Sequence, residues 1–176
     1  MHFLLFWRRR EVMKKTVSES RVYKSSRIFP PDLNSHGTLF GGKLLADMDM
    51  LASIAATRHA RLECVTVSMD TVEFLHPITE EDSIHYEAFV IWTGKSSMEV
   101  FVKVTAEHLL TGANRIAATC FISFVALLEG KPRQVPGIEP ETEGERQLNE
   151  LARKRAQKRM DRKVTSKNLA EILTKL

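Results

Sequence analysis

Between residues 65 and 128, hydrophobic and polar positions alternate with few interruptions. VTVSMDTVEFL (65–75), SIHYEAFVIW (83–92) and SMEVFVKVTAEHL (97–109) each show the period of two that sends successive side chains to opposite faces of a strand. In the last of these, Met98, Val100, Val102 and Val104 share one face, and Glu99, Phe101, Lys103 and Thr105 the other. NRIAATCFISFVALL (114–128) is apolar on both faces and free of Gly and Pro, which suits a central strand. Turns are expected at His76-Pro77, at Thr93-Gly94-Lys95 and between Gly112 and Asn114. Upstream, RVYKSSRIF (21–29) reads as a looser first strand and PPDLNSHG as a loop. From Leu44 to Arg58 the composition turns to Ala, Leu and Met over the length of a helix. One helix followed by strands on short turns predicts an α+β domain, with the helix packed on one face of an antiparallel sheet.

Beyond residue 130 the pattern weakens. Pro132, Pro136, Gly137 and Pro140 mark 131–140 as a linker, and 141–176 reads as a charged helical tail with a thin apolar stripe of Leu148, Leu151, Ala152 and Met160. The domain is therefore expected over 16–130. Residues 1–15 form an N-terminal extension expected to be disordered, and Met13 would make a normal soluble start. Five apolar residues before RRR invert the order of a secretory signal.

Charge sharpens this division. The net charge of +4 belongs to the ends: residues 1–15 hold five Lys/Arg against one acid, and 151–176 hold nine against two. The residues between carry 12 bases and 19 acids, whereas a nucleic-acid-binding domain usually carries its basic footprint on the folded body. No apolar run approaches the roughly 18 residues of a membrane span. Cys64 and Cys120 are far apart in apolar strands, so two buried free thiols in a reducing cytoplasm are expected. The six histidines show no metal-ligand spacing, and no metal is expected.

GTLFGGKLLADMDM (37–50) contains G-x-x-x-x-G-K, the opening of a phosphate-binding P-loop. A loop precedes it instead of a buried strand, Leu44 replaces the hydroxyl residue that would hold magnesium, and no βαβ pattern follows. What remains is a glycine-rich helix entry. Bare N–H groups with the helix dipole behind them can hold an anion or a transient oxyanion, although Gly-Gly also serves close packing. On the helix, Leu44, Leu45, Met48, Ala52 and Ala55 make the apolar face. Asp49 sits at its edge among mostly small residues, with no base on its own helix at i±3 or i±4. Either a distant cation satisfies it or a site uses it. Asp47 has Lys43 four residues earlier and a place in the early helix that suits its charge, a sufficient structural role.

Asn34-x-x-Gly37-x-x-Phe40-Gly41-Gly42, Met48-Asp49, Phe74-x-x-Pro77 and Thr93-Gly94-Lys95-Ser96-Ser97-Met98, in this order, resemble the hot-dog-fold acyl-CoA thioesterases, most closely the bacterial and cytosolic broad-range acyl-CoA hydrolases. The resemblance covers residues 18–130. It implies a hot-dog fold, an antiparallel sheet wrapped around one long central helix, here with a C-terminal charged helix added. It further implies dimers paired sheet edge to sheet edge, with sites at the dimer interface and often a trimer of dimers. Asp49 falls on the family's catalytic carboxylate, Asn34 on the loop residue that positions thioester or water, and Gly42 on the amide facing the carbonyl oxygen. Gly41, His36, Gly94, Lys95, Ser96 and Ser97 fall where substrate and CoA are held. CoA belongs to the substrate, and no separate cofactor is implied. One departure is Glu81-Asp82, where the family often has Gly-Asp. The expected activity is acyl-CoA hydrolysis in the cytoplasm, without nucleic acid or membrane insertion. The rivals are a non-catalytic acyl-CoA-binding regulator, which would be expected to lack the carboxylate, and a dehydratase, which would need a histidine beside it.

Overall fold

The computed structural model describes residues 13–175; most of the expected N-terminal extension lies outside the described residues. Chain order is β1 (Lys14–Thr16), α1 (Val17–Ser20), β2 (Val22–Arg27), a 3₁₀ turn at Pro30–Asp32, α2 (Gly41–Ala60), β3 (Glu63–Phe74), β4 (Asp82–Thr93), β5 (Ser97–His108), β6 (Asn114–Leu128), β7 (Lys131–Pro132), β8 (Gly137–Glu139) and α3 (Glu143–Leu173).

The main sheet runs β2-β4-β5-β6-β3, antiparallel throughout, with β7 beside the end of β6. Alternation decides its two faces. Ile84, Tyr86, Val102, Val104, Ile122 and Phe124 are buried on the inner face against α2. The helix meets them with Met48, Leu51, Ala52, Ala55 and Ala56, and the alanines let its backbone come close to the sheet. Arg61, in the left-handed conformation with φ 54°, ends α2 through its N–H to Thr57 O. A bulge between Asp70 and Glu73, with Thr71 at φ 49°, bends β3 around the helix. The Glu81-Asp82 departure resolves here: Asp82 is fully buried and paired with Arg115 at 2.6 and 2.9 Å, and it accepts the Thr79 N–H that closes the turn.

The outer face carries a row of Phe89, Phe101 and Phe121, with successive ring centroids 5.7 and 5.1 Å apart. Helix α3 lies on it, packing Leu148 and Ala152 against this row and placing the Arg155 guanidinium 3.7 Å from the Phe121 ring centre. Glu99, on the polar face of the sequence pattern, is fully buried beneath α3, where Arg155 (2.6 and 2.8 Å) and Arg159 donate to it.

Two boundaries need correction. Lys14 and Lys15 start β1, which pairs in parallel with β8, so order begins before residue 16. The stretch 131–140 contains β7 and β8, and Val135 within it is buried in the core. Its prolines limit pairing to two or three residues without releasing the chain. Cys120 is buried as expected, its thiol pushed up to about 12 chiefly by burial; Cys64 is only half-buried.

His59, which alone suggested only a helix end, is completely buried beneath this segment. Its Nε2 meets Pro136 O at 2.9 Å, Nδ1 has no hydrogen-bond partner among the described residues, and burial lowers its pKa. The unfolded chain takes up this proton near 6.5 and the folded chain resists it, so acidification below that value favours unfolding. Urea unfolding at pH 7.5 and 5.5 is expected to show a loss of at most about 1.4 kcal/mol per pH unit from this residue. His59→Gln, which keeps a donor for Pro136, is expected to flatten that slope.

Candidate active site

The loop ahead of α2 is built around Asn34. Its Oδ1 accepts from the backbone N–H of His36 (2.9 Å) and Thr38 (3.3 Å), and one donor of Nδ2 is given to Thr38 Oγ1 (2.9 Å). Gly37, at φ 71°, allows the chain to double back so that its N–H reaches Asn34 O. The loop is anchored by Leu39 N–H to Ile78 O and Phe40 N–H to Asp32 O. Asn34 is thus rigid, with a second Nδ2 donor remaining beyond the one that Thr38 takes.

The predicted helix began at Leu44; it begins at Gly41, and both glycines belong to its first turn. Its N-cap residue, Phe40, has no side-chain oxygen to satisfy the first N–H groups, which leaves the positive helix end uncapped by a side chain. A Cβ on Gly42 would stand 2.5 Å from the Phe40 ring, and one on Gly41 would rest 3.6 Å from Phe74. Asn34, Thr38, Gly41, Leu44, Phe74 and His76 line a cleft of about 360 Å³. The structure therefore brings together Asn34 and the helix start; His36 is exposed on the loop beside them.

The two helix carboxylates have opposite surroundings. Asp47 is 5% exposed and receives Lys24 Nζ (2.7 Å), Lys43 Nζ (2.7 Å) and the buried Tyr86 hydroxyl (3.1 Å). Burial alone would raise its pKa, but the two lysines overcome this and hold it below the usual value. Asp49 is half-exposed, and Thr66 Oγ1 on β3 donates to its Oδ1 at 2.8 Å. Among the described residues no cation pairs with it; its partner is a neutral hydroxyl. Thr66 was not visible as a site residue, because a threonine in an alternating strand carries no local mark of chemistry. Only the packing of α2 on β3 exposes the pairing.

Gly94, Lys95, Ser96 and Ser97 lie elsewhere in the chain. Gly94 N–H to Ser97 O closes the β4–β5 turn, while Ser96 O and Lys95 O accept from Ala126 and Val135. Through Val125 this turn is level with Val65, at the opposite end of β3 from Phe74, roughly 30 Å along the strand. One chain does not unite these residues with Asn34 and Gly41. Among the described residues no three His, Cys, Asp or Glu side chains gather as a metal site.

A curled antiparallel sheet holding one long helix, with a glycine-entered N-terminus and a strand-supported aspartate, defines a hot-dog thioesterase. Residues 36–113 match the thioesterase superfamily model. The acyl-CoA thioester hydrolase YkhA of Bacillus subtilis, itself uncharacterised, is 55% identical over 88% of this chain and 91% of its own. The chain belongs to the thioesterase superfamily. The acyl-CoA hydrolase of Staphylococcus aureus, solved with butyryl-CoA, CoA and CoA disulfide, is 41% identical with a TM-score of 0.87, covering 92% of this chain and 99% of that one. That enzyme has also been solved with an asparagine, an aspartate or a threonine replaced by alanine; the intervals between them, 15 and 17 residues, equal those from Asn34 to Asp49 to Thr66. A further acyl-CoA thioesterase, solved as a hexamer, is 41% identical with a TM-score of 0.83 over 86% of this chain and 97% of its own.

The contrast between the carboxylates is measurable by urea unfolding. Asp47→Ala strands the buried Tyr86 hydroxyl and is expected to cost about 1–3 kcal/mol of stability. Asp49→Ala, at a half-exposed position, is expected to change stability by less than about 1 kcal/mol.

Proposed function

We propose that this chain hydrolyses acyl-CoA thioesters to a carboxylic acid and CoA, with Asp49 as the catalytic carboxylate. The observation that carries this is Asp49 itself: a half-exposed carboxylate held by Thr66, with no cation paired to it among the described residues, on a helix whose start no side chain caps. The matching intervals to the replaced residues of the Staphylococcus aureus enzyme support the same three positions.

Asp49 takes a proton from water as the water oxygen attacks the thioester carbonyl, or attacks the carbonyl itself to give an anhydride that water then opens. The developing oxyanion meets the Gly42 N–H, a kind of contact worth about 3 kcal/mol in acyl transfer. Asn34 orients substrate or water through its remaining donor. The C–S bond then breaks, and the proton leaves with the CoA thiolate. Gly41 and His36 border the acyl end of the path. CoA enters as part of the substrate, so the reaction calls for no separate cofactor.

Asp49 is absent from the lining of the cleft that holds Asn34 and Gly41, which supports a site completed by a second chain. Strand β3 ends the sheet order, and Val65, Val67 and Phe74 along it are exposed, so pairing of two copies through β3 fits both observations. Such pairing reverses one chain against the other and carries one copy's Gly94–Ser97 turn toward the other's helix start, where Lys95 would meet CoA phosphates. The hexameric relative supports three such dimers in one particle. No helix among the described residues is long and apolar enough to cross a membrane, and a cytoplasmic location fits the two free thiols.

Thiol release from acyl-CoAs of increasing chain length is the test. Asp49→Asn is expected to reduce turnover at least about 100-fold while the dimer persists, and Thr66→Val about 10-fold. Full turnover by Asp49→Asn would remove it from the chemistry. Binding without turnover by the wild type would identify a non-catalytic acyl-CoA-binding protein.

A further inference from the structure

The path of α3 across the sheet can be followed strand by strand. Asn149 Nδ2 donates to Ile91 O on β4 (2.6 Å), Arg155 donates to Glu99 on β5 and covers Phe121 on β6, and Arg159 reaches Asp70 on β3 (3.8 Å). These four strands are consecutive in the sheet. Three strand spacings amount to about 14 Å, and the ten residues from Asn149 to Arg159 advance a helix by about 15 Å. Arg159 also donates to Glu99 on β5, so the helix runs across the strands with Arg159 reaching both β5 and the edge strand β3.

It does not stop there. Residues 160–173 continue the helix for about 21 Å, the width of roughly four more strands. Thr165 and residues 171–175 are exposed, including the apolar Ile172 (60%) and Leu173 (57%). This stretch is also basic: residues 160–175 contain Arg162, Lys163, Lys167 and Lys175 against Asp161 and Glu171. Register with Leu127 and Thr119 puts the exposed Glu63 and Glu73 on the outer side of β3, the side that α3 crosses.

We propose that residues 160–173 lie over the outer sheet face of a second copy of this chain joined at β3, each subunit laying its helix across the other. This rests on the β3 pairing given above. Length argues for it, because pairing at β3 supplies the additional strands that the helix overshoots. Charge argues for it, because residues 160–175 are net basic in sequence and the outer side of β3 carries the exposed Glu63 and Glu73. Two-fold symmetry then runs the two helices antiparallel across one continuous sheet.

The test uses the full chain. A photo-crosslinker is attached at Leu173→Cys in a Cys64→Ser background, and ¹⁵N-labelled and unlabelled chains are refolded together before irradiation. Crosslinked peptides that join a labelled to an unlabelled chain and end on the outer side of β3 or β6 are expected. Crosslinks confined to single chains, in a sample that light scattering shows to be a dimer or a multiple of dimers, would overturn the helix placement and leave the β3 dimer standing. A monomer by light scattering would overturn both. As a second check, Ile172→Asp with Leu173→Asp is expected to raise the dimer dissociation constant about tenfold, and an unchanged constant would count against the proposal.

Discussion

A 20-residue helix enclosed by the curve of a sheet constrains everything around it. It can sit so deep only because its buried face is rich in alanine, and the sheet can close on it only because β3 bends at a bulge. With the helix so placed, its N-terminus is fixed beside the Asn34 loop, and the side toward β3 brings Asp49 to Thr66. Pocket, dipole and carboxylate are all positioned by one packing decision.

That packing also sorts two carboxylates separated by a single residue. A 200° rotation along the helix sends Asp47 toward β2 and β4, where two lysines and a tyrosine hold it. Asp49 is sent toward β3 and remains half-exposed. The first is neutralised and contributes to the fold. The second has a threonine hydroxyl for its partner and, among the described residues, no cation.

The strand segments and their inner and outer faces were legible in the sequence, because period-two alternation records burial directly, whereas the pairing of β3 with β6 rather than with β4 was not. The reach of α2 was less legible, since glycines at its start carry no helical signal of their own. Asp47 could be matched in sequence with Lys43 but not with Lys24 or Tyr86, which arrive from other strands; its depth of burial was hidden for that reason. Strands of two or three residues, such as β1, β7 and β8, are too short to show a period. The docking of α3 was invisible for another reason: much of its contact is made by the guanidinium groups of Arg155 and Arg159 over aromatic rings and a buried glutamate. Of the site, Asp49 stood out by the partners it lacked, whereas Thr66 needed the tertiary fold.

The parallel pair of β1 and β8 joins residues 14–16 to residues 137–139, and Arg21 bridges Glu87 and Glu145 nearby. During synthesis, the first strand of the domain has no strand to pair with until residues 137–139 have left the ribosome, although Lys15 can already reach His59 O. The domain therefore closes late, as a knot is drawn tight by its last pull, and its first strand waits in the nascent chain for the sequence that will hold it.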